Sequence, residues 1–239
     1  MPLFRPWRRS LRAVYNDSMS SSPPSLQELL HHPRLWRGLS PASLGDQRTG
    51  FAALDRSLPG RGWPRRALIE LLAARPGIGE LRLLQPVLRG EPQCWIRPPH
   101  LPYAPALARA GIPLESLLLI RPSDEDEALW ATTRVLRSGV YPQVLAWHAS
   151  RCMTALRRLQ LAAETGGTRL FLFRPATAAR QPSPAALRLF LEPAREGLYV
   201  RILKCRGGQP GALILSDDEL VAVPASAPTA AGRPASRAA

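Results

Sequence analysis

The chain has 239 residues, of which 45% are hydrophobic, and its formal net charge at pH 7 is +14. A chain of this size can bury one sizeable core, and no run approaches the ~18 consecutive apolar residues of a membrane span, so we expect a soluble protein with no membrane partner. The charge is almost wholly arginine, since Lys204 is the only lysine. It indicates attraction to polyanions or acidic proteins, but the arginines are not interleaved with the aromatic residues that stack on bases, so the sequence gives little support for direct DNA contact.

The cysteines indicate a reducing environment. Cys94, Cys152 and Cys205 lie far apart, without a C-x-x-C pair. This spacing is typical of a cytoplasmic protein and argues against a disulfide framework or a simple metal site. His148 and Cys152 could form a base and nucleophile pair, but no third residue that would orient the histidine is evident. We expect Cys152 to be a small buried side chain.

Composition and periodicity divide the chain into segments. The predicted segments are a disordered tail at 1–24, an N-terminal helix and linker at 25–48, one domain at 49–221, and a second disordered tail at 222–239. Ser25 and Glu28 form a capping box for a short helix at 25–32. The basic start lacks the apolar stretch of a secretory signal, which leaves a transit peptide or a true start at Met19 as the alternatives.

Strands and helices alternate along the domain. Strands are predicted at 67–73, 94–97, 117–120, 144–147 and 169–173, and helices at 80–89, 104–110, from 123 onward and at 154–164. This alternation of apolar strands with helices predicts an α/β fold in which a mainly parallel sheet carries helices on both faces. Three further strands follow at 187–191, 198–203 and 211–215, with the short connections of antiparallel pairs. Arg188, Arg201 and Lys204 lie on these strands and form either a basic face or protection against edge-to-edge aggregation.

An acidic run marks the start of one helix. Ser123 is the predicted cap, and Asp124 to Glu127 form the first turn, where carboxylates complement the positive end of the helix dipole. The competing interpretation is an acidic patch that mimics nucleic acid. We favour the interpretation that these four acidic residues stabilise the start of the helix.

The sequence most relevant to function follows the first strand: Arg75-Pro76-Gly77-Ile78-Gly79-Glu80-Leu81, called here the 75–81 loop. A phosphate loop requires G-x-x-x-x-G-K-[ST], because its lysine contacts phosphate and its hydroxyl binds Mg²⁺. Glu80 and Leu81 occupy those two positions. The strand ending at Trp147 also lacks a carboxylate for Mg²⁺, and Trp147 would crowd that space. We therefore predict no ATPase activity and no cofactor, with Glu80 serving the helix dipole and the glycines preserving the turn.

The domain resembles known families. Its entry, with Thr49-Gly50, Leu54-Asp55 and a glycine-rich turn before the first strand, is similar to the RecA ATPase core, which implies a RecA-like P-loop NTPase fold. Three elements resemble the ImuA family, which is related to sequences known as the cell-division inhibitor SulA. These elements are residues 35–38, the turn at 62–64 and residues 76–81. The resemblance covers roughly residues 25–220.

The ImuA resemblance implies a bacterial accessory protein of translesion DNA synthesis, active in damage-induced mutagenesis with an ImuB-like Y-family protein, an error-prone polymerase and RecA. We expect a non-catalytic adaptor that binds these proteins. Leu35, Trp36 and Trp63 are candidate contacts, although both tryptophans could instead pack the N-terminal segment on the core. The alternatives are a SulA-type inhibitor of the tubulin-like division protein and a weak nucleotide-binding enzyme.

Overall fold

The computed structural model describes residues 47–148 and 152–221, which form a mixed α/β domain. Its strands are β1 (Leu68–Ala73), β2 (Gln93–Ile96), β3 (Leu117–Ile120), β4 (Gln143–Trp147), β5 (Arg169–Pro175), β6 (Leu187–Ala194), β7 (Gly197–Cys205) and β8 (Gly211–Ser216). Its helices are α1 (Ala52–Ser57), α2 (Glu80–Leu88), α3 (Ala104–Arg109), α4 (Glu125–Ser138), α5 (Met153–Gly166) and α6 (Asp217–Val221). Short 3₁₀ turns lie at Leu114–Ser116 and Ala176–Arg180.

The strands form one eight-stranded sheet in the order β3-β2-β4-β5-β1-β6-β7-β8. The first six strands in this order pair in parallel, and β7 and β8 are antiparallel. The predicted strand positions and the mainly parallel sheet are confirmed. β6 differs from the prediction, because it pairs in parallel with β1 on one side and antiparallel with β7 on the other. Residues 176–186 provide the crossover connection that a parallel pair needs.

Apolar side chains cover both faces of the sheet. On the first face, α1, α2 and α6 pack over alternate residues of β1, β5, β6 and β7. On the second face, α4 and α5 pack over the remaining residues of β1, β2, β4 and β5. Because parallel strands covered on both sides need apolar residues at nearly every position, the continuous apolar runs of the sequence are explained. Within residues 47–148 and 152–221, no helix is long and apolar enough to cross a bilayer.

The cap of one helix differs from the prediction by one residue. The cap of α4 is Asp124, not Ser123, because the Asp124 carboxylate accepts a hydrogen bond from the backbone N–H of Glu127 at 2.8 Å. Ser123 donates its own N–H and hydroxyl to the Glu127 carboxylate at 2.8 and 2.7 Å. The acidic run therefore satisfies the backbone groups at a helix start, which supports that interpretation over nucleic-acid mimicry.

A buried pair fixes the entry to the domain. The carboxylate of Asp55 accepts hydrogen bonds from the backbone N–H and the hydroxyl of Thr49, both at 2.8 Å. Thr49 is fully buried and Asp55 is nearly so. These two residues of the Thr49-Gly50 and Leu54-Asp55 motif hold the chain against the start of α1. The predicted helix at 25–32 and both predicted tails lie outside the described residues.

One carboxylate lies inside the sheet. Glu70, on β1, is 0% exposed and accepts hydrogen bonds from Arg174 of β5 at 2.9 Å, Arg188 of β6 at 2.6 Å and Ser183 at 2.8 Å. Arg174 also donates to the Gln181 side chain at 3.0 Å. A buried charge is tolerated only when it is paired and hydrogen-bonded, so this network joins the central strand to both of its neighbours.

We predict that Glu70→Gln lowers the free energy of unfolding by about 3–5 kcal/mol, because it leaves two buried guanidinium groups without their shared anion. Urea denaturation followed by circular dichroism measures the change. Glu192→Gln, an exposed position on the same strand β6 as Arg188, is the control and should alter stability by less than about 0.5 kcal/mol. Equal stability losses in the two variants would contradict the assignment.

Candidate functional site

The 75–81 loop makes a tight turn from β1 into α2. Gly77 has φ +83° and Gly79 has φ +110°, both in the left-handed region that side chains with a Cβ rarely adopt. Gly79 is also the N-terminal cap residue of α2. The two glycines therefore have a backbone role that needs no bound nucleotide.

The Glu80 carboxylate turns back into this loop. One carboxylate oxygen accepts a hydrogen bond from the backbone N–H of Gly77 at 2.7 Å, and the other accepts one from Ile78 at 2.8 Å. Glu80 is only 5% exposed. In a working phosphate loop such backbone donors hold phosphate. Here a side chain of the same chain supplies the anion, which goes beyond the predicted contact with the helix dipole.

A cavity of about 500 Å³ opens beside the loop, at the carboxyl ends of β1, β2, β4 and β5. Open α/β sheets bind ligands at this edge, and the volume is within the range of ligand sites. The cations that line the cavity are Arg75, Arg97 and Arg174, and Glu80 lines it as well. Arg97 has φ +56°, which is uncommon for a residue other than glycine. Arg97 is paired with Glu125 and Arg174 with Glu70, so the charges of these two arginines are largely balanced.

Aromatic rings form one wall of the cavity. Trp147 stacks on Phe173 with ring centroids 4.4 Å apart and planes at 5°. Trp95 packs against the other side of Trp147 at 5.8 Å. Trp147 therefore fills space at the end of β4, where the sequence predicted crowding. β4 ends at Trp147 and is followed by His148, so aromatic side chains occupy the end of this strand.

His148 lies beside the cavity and is held by α4. Its Nε2 is 2.8 Å from the Thr132 hydroxyl, and its Nδ1 is 3.4 Å from a Glu125 carboxylate oxygen. Glu125 also pairs with Arg97. Burial lowers the pKa of His148, Glu125 opposes this effect, and Arg97 adds to it. Both ring nitrogens of His148 face residues of α4 and not Cys152. Cys152 is exposed, whereas the sequence predicted a buried side chain.

The predicted partner contacts divide into two groups. Trp63 is 0% exposed and packs edge-on against Phe171 with centroids 5.3 Å apart. Its backbone N–H also donates to the carbonyl of Gln47 at 2.9 Å. Trp63 is therefore a core residue of the described structure. Leu35 and Trp36 lie outside the described residues.

The sequence did not single out Arg97, Glu125 and Thr132 as neighbours of His148. Arg97 directly follows β2, Glu125 and Thr132 lie on α4, and only the sheet order brings them to the end of β4. Glu125 had been assigned to the helix start alone. The available signal was its position just after a parallel strand, since such positions meet at the ligand-binding edge of a sheet.

Comparison with known proteins gives a partial relationship. No protein-family model matches the chain. The chain is 37% identical over 100 residues to the cell division inhibitor SulA of Edwardsiella piscicida, a match that covers 39% of this chain and 58% of that protein. A crystal structure of SulA from Pseudomonas aeruginosa aligns with a TM-score of 0.39 and 28% identity, covering 45% of this chain and 97% of that one. The sequence is thus similar to SulA over part of its length, while the ImuA and RecA-like assignments remain predictions.

The loop geometry predicts that Glu80→Ala creates an anion site. Removing the carboxylate leaves the N–H groups of Gly77 and Ile78 without their acceptor, which should lower the free energy of unfolding by about 1–3 kcal/mol. Adding pyrophosphate should then raise the melting temperature of Glu80→Ala but not that of the natural chain. Thermal unfolding with increasing pyrophosphate tests this.

Glu196→Ala is the matched control, since Glu196 is exposed in the turn between β6 and β7. It should behave like the natural chain. A pyrophosphate effect of equal size in all three proteins would show that the anion acts on the basic surface and not on the loop.

The environment of His148 predicts a pH effect on stability. Its pKa is lower in the folded chain than in the unfolded chain, so the unfolded chain binds more protons between these two values. The stabilisation is complete above the unfolded value of about 6.5 and is lost as the pH falls toward the folded pKa. Urea denaturation across this pH range should show that the free energy of unfolding rises with pH, and this rise should disappear in His148→Gln. The exposed His100 provides the control, since His100→Gln should retain the rise.

Proposed function

We propose that this chain is a SulA-related protein that acts by binding other proteins and not by turning over a nucleotide. The observation that carries the proposal is the Glu80 carboxylate on the amides of Gly77 and Ile78. Bound phosphate would need the same donors and would also meet a negative charge where phosphoryl transfer requires a cation. At an effective dielectric constant of ~20, one charge at ~4 Å contributes about 4 kcal/mol, so a reversed sign opposes binding strongly.

Inhibition of cell division is the first candidate role. The 37% identity to a SulA sequence over 100 residues supports it. The target would be the tubulin-like division protein, whose assembly the chain would block by occupying a contact surface. Because the chain spans about 58% of the length of that relative, the activity of the whole relative is carried over only as a proposal.

An accessory role in translesion DNA synthesis is the second candidate. The match to SulA covers 39% of this chain, so most of the chain is not accounted for by that similarity. The resemblance of residues 35–38, 62–64 and 76–81 to the ImuA family supports this role. The partners would be an ImuB-like Y-family protein, an error-prone polymerase and RecA. A RecA-like domain without an ATP switch would serve as a docking body in such an assembly.

The cavity suggests how the chain would hold a protein partner in either of these two roles. Its aromatic wall of Trp147 and Phe173 suits an apolar side chain, and the exposed Arg75 that also lines it suits a neighbouring carboxylate. Buried aromatic and arginine anchors provide much of the free energy in protein interfaces. A short acidic segment with an apolar anchor is therefore the proposed recognition element.

Two assays separate the candidate roles. If the chain inhibits division, its expression in bacteria should produce filamentous cells, and the purified chain should reduce GTP-driven polymer formation by the division protein in a sedimentation assay. If it is a translesion factor, deletion of its gene should reduce the frequency of damage-induced mutation without changing cell length, and the gene on a plasmid should restore it. The natural chain failing in both assays would contradict both roles.

The absence of catalysis is tested separately by measuring ATP hydrolysis. We expect no turnover above background from the natural chain. Gly79→Arg is the diagnostic variant, because its side chain would distort the left-handed turn and obstruct the loop. Hydrolysis by the natural chain that disappears in Gly79→Arg would contradict the non-catalytic proposal, whatever the result of the cellular assays.

A further inference from the structure

Part of the second face of the sheet, across β6, β7 and β8, carries a mixture of aromatic and basic residues. The strand register places Phe190 opposite Arg201 and Arg188 opposite Lys204, and it places Tyr199 beside Ile214. We call the set Phe190, Tyr199, Arg201, Lys204 and Ile214 the exposed sheet face. Its residues alternate with Leu198, Val200 and Ile202, which point into the core on the first face.

This face lies beyond the helices that cover its neighbours. Among the described helices, α4 packs on β2 and β4, and α5 packs on β1. The core on this side takes its strand residues from β1, β2, β4 and β5, so it ends before β7 and β8. Ile214 is 57% exposed, Arg201 and Lys204 are exposed, and Phe190 and Tyr199 are half-buried. An exposed face of this kind on an antiparallel sheet is a common binding surface.

The side chains provide flat surfaces and positive charge. The Arg201 guanidinium lies over the Phe190 ring, 4.8 Å from its centroid. The planar guanidinium thus covers the ring, and Arg201 itself is exposed. Tyr199 adds a second ring. Lys204 donates to the Ser183 carbonyl at 2.8 Å and keeps its charge at the surface. The neighbouring Arg188 is paired with Glu70, and Glu192, opposite Tyr199, is the acidic residue at the far end of the face.

We propose that the exposed sheet face binds single-stranded nucleic acid. Bases of a single strand can stack on Tyr199 and on the Arg201 guanidinium, while Arg201 and Lys204 attract the phosphates. The net charge of +14 favours the same class of ligand through long-range attraction. The sequence did not show aromatic residues interleaved with arginines because the interleaving runs across strands and not along the chain. This inference does not depend on the proposed division or translesion role.

Fluorescence anisotropy with a labelled oligothymidylate of about 16 nucleotides tests the proposal, with a duplex of the same length as reference. The natural full-length chain should bind the single strand at low salt. Tyr199→Leu, which preserves apolar area, should weaken that binding about fivefold or more through lost stacking and leave duplex binding unchanged. The double variant Arg201→Ala, Lys204→Ala should reduce the logarithmic salt slope by about 1.4, since each lost cation contributes about 0.7 on a single strand.

Arg56→Ala is the control for general charge, because Arg56 is exposed on α1 on the opposite face. It should weaken single-strand affinity no more than duplex affinity, and unchanged melting temperatures should show that each variant is folded. No single-strand binding by the natural chain would overturn the proposal. Unchanged single-strand affinity in Tyr199→Leu would also overturn it. If these variants lost a protein partner while their oligonucleotide affinity stayed unchanged, the face would be assigned to protein docking instead.

Discussion

The buried carboxylate of Glu70 connects three neighbouring strands of the sheet, and the rest of the domain packs around these strands. Glu70 lies on β1, the strand that pairs in parallel with β5 and β6, and it takes hydrogen bonds from an arginine on each of them. An apolar residue there would leave two guanidinium groups buried without an anion, so the three positions depend on each other. The 75–81 loop follows directly from β1, and the cavity is bounded by the ends of β1 and β5. The position of the candidate site therefore depends on this network.

The positions of the strands could be predicted because each one is an apolar run between turn residues, and such runs are a local property of the sequence. The partners of Glu70 could not, since they lie 104 and 118 residues away along the chain. The parallel pairing of β6 was missed for a similar reason, as short connections to β7 suggested only antiparallel pairing. The contacts of the 75–81 loop were easier to predict. Glu80 bonds to residues two and three positions before it, so its local role was partly visible, whereas the contacts of His148 required the sheet order.

The site and the partial similarity to SulA lead to one physical picture. The carboxylate of Glu80 accepts hydrogen bonds from two backbone N–H groups of the 75–81 loop, and the cavity beside this loop is lined by stacked rings and arginines. On the proposed function, such a surface would contact apolar and acidic groups of a protein partner. The exposed sheet face is separate from this edge, being formed by β6, β7 and β8. One small domain thus has two separate surfaces that carry aromatic and basic residues.

The internal bonds of Glu80 also bear on regulation. A tethered group competes with a free ligand at an effective concentration of about millimolar even on a flexible linker, and at much higher values when its geometry is fixed. The Glu80 carboxylate is held by two short bonds within one turn of chain, so a free phosphate group would have to displace it without any comparable advantage. On the proposed function, a domain arranged in this way would not sense the ratio of ATP to ADP. Its activity in the cell would then follow the amount of protein made and degraded.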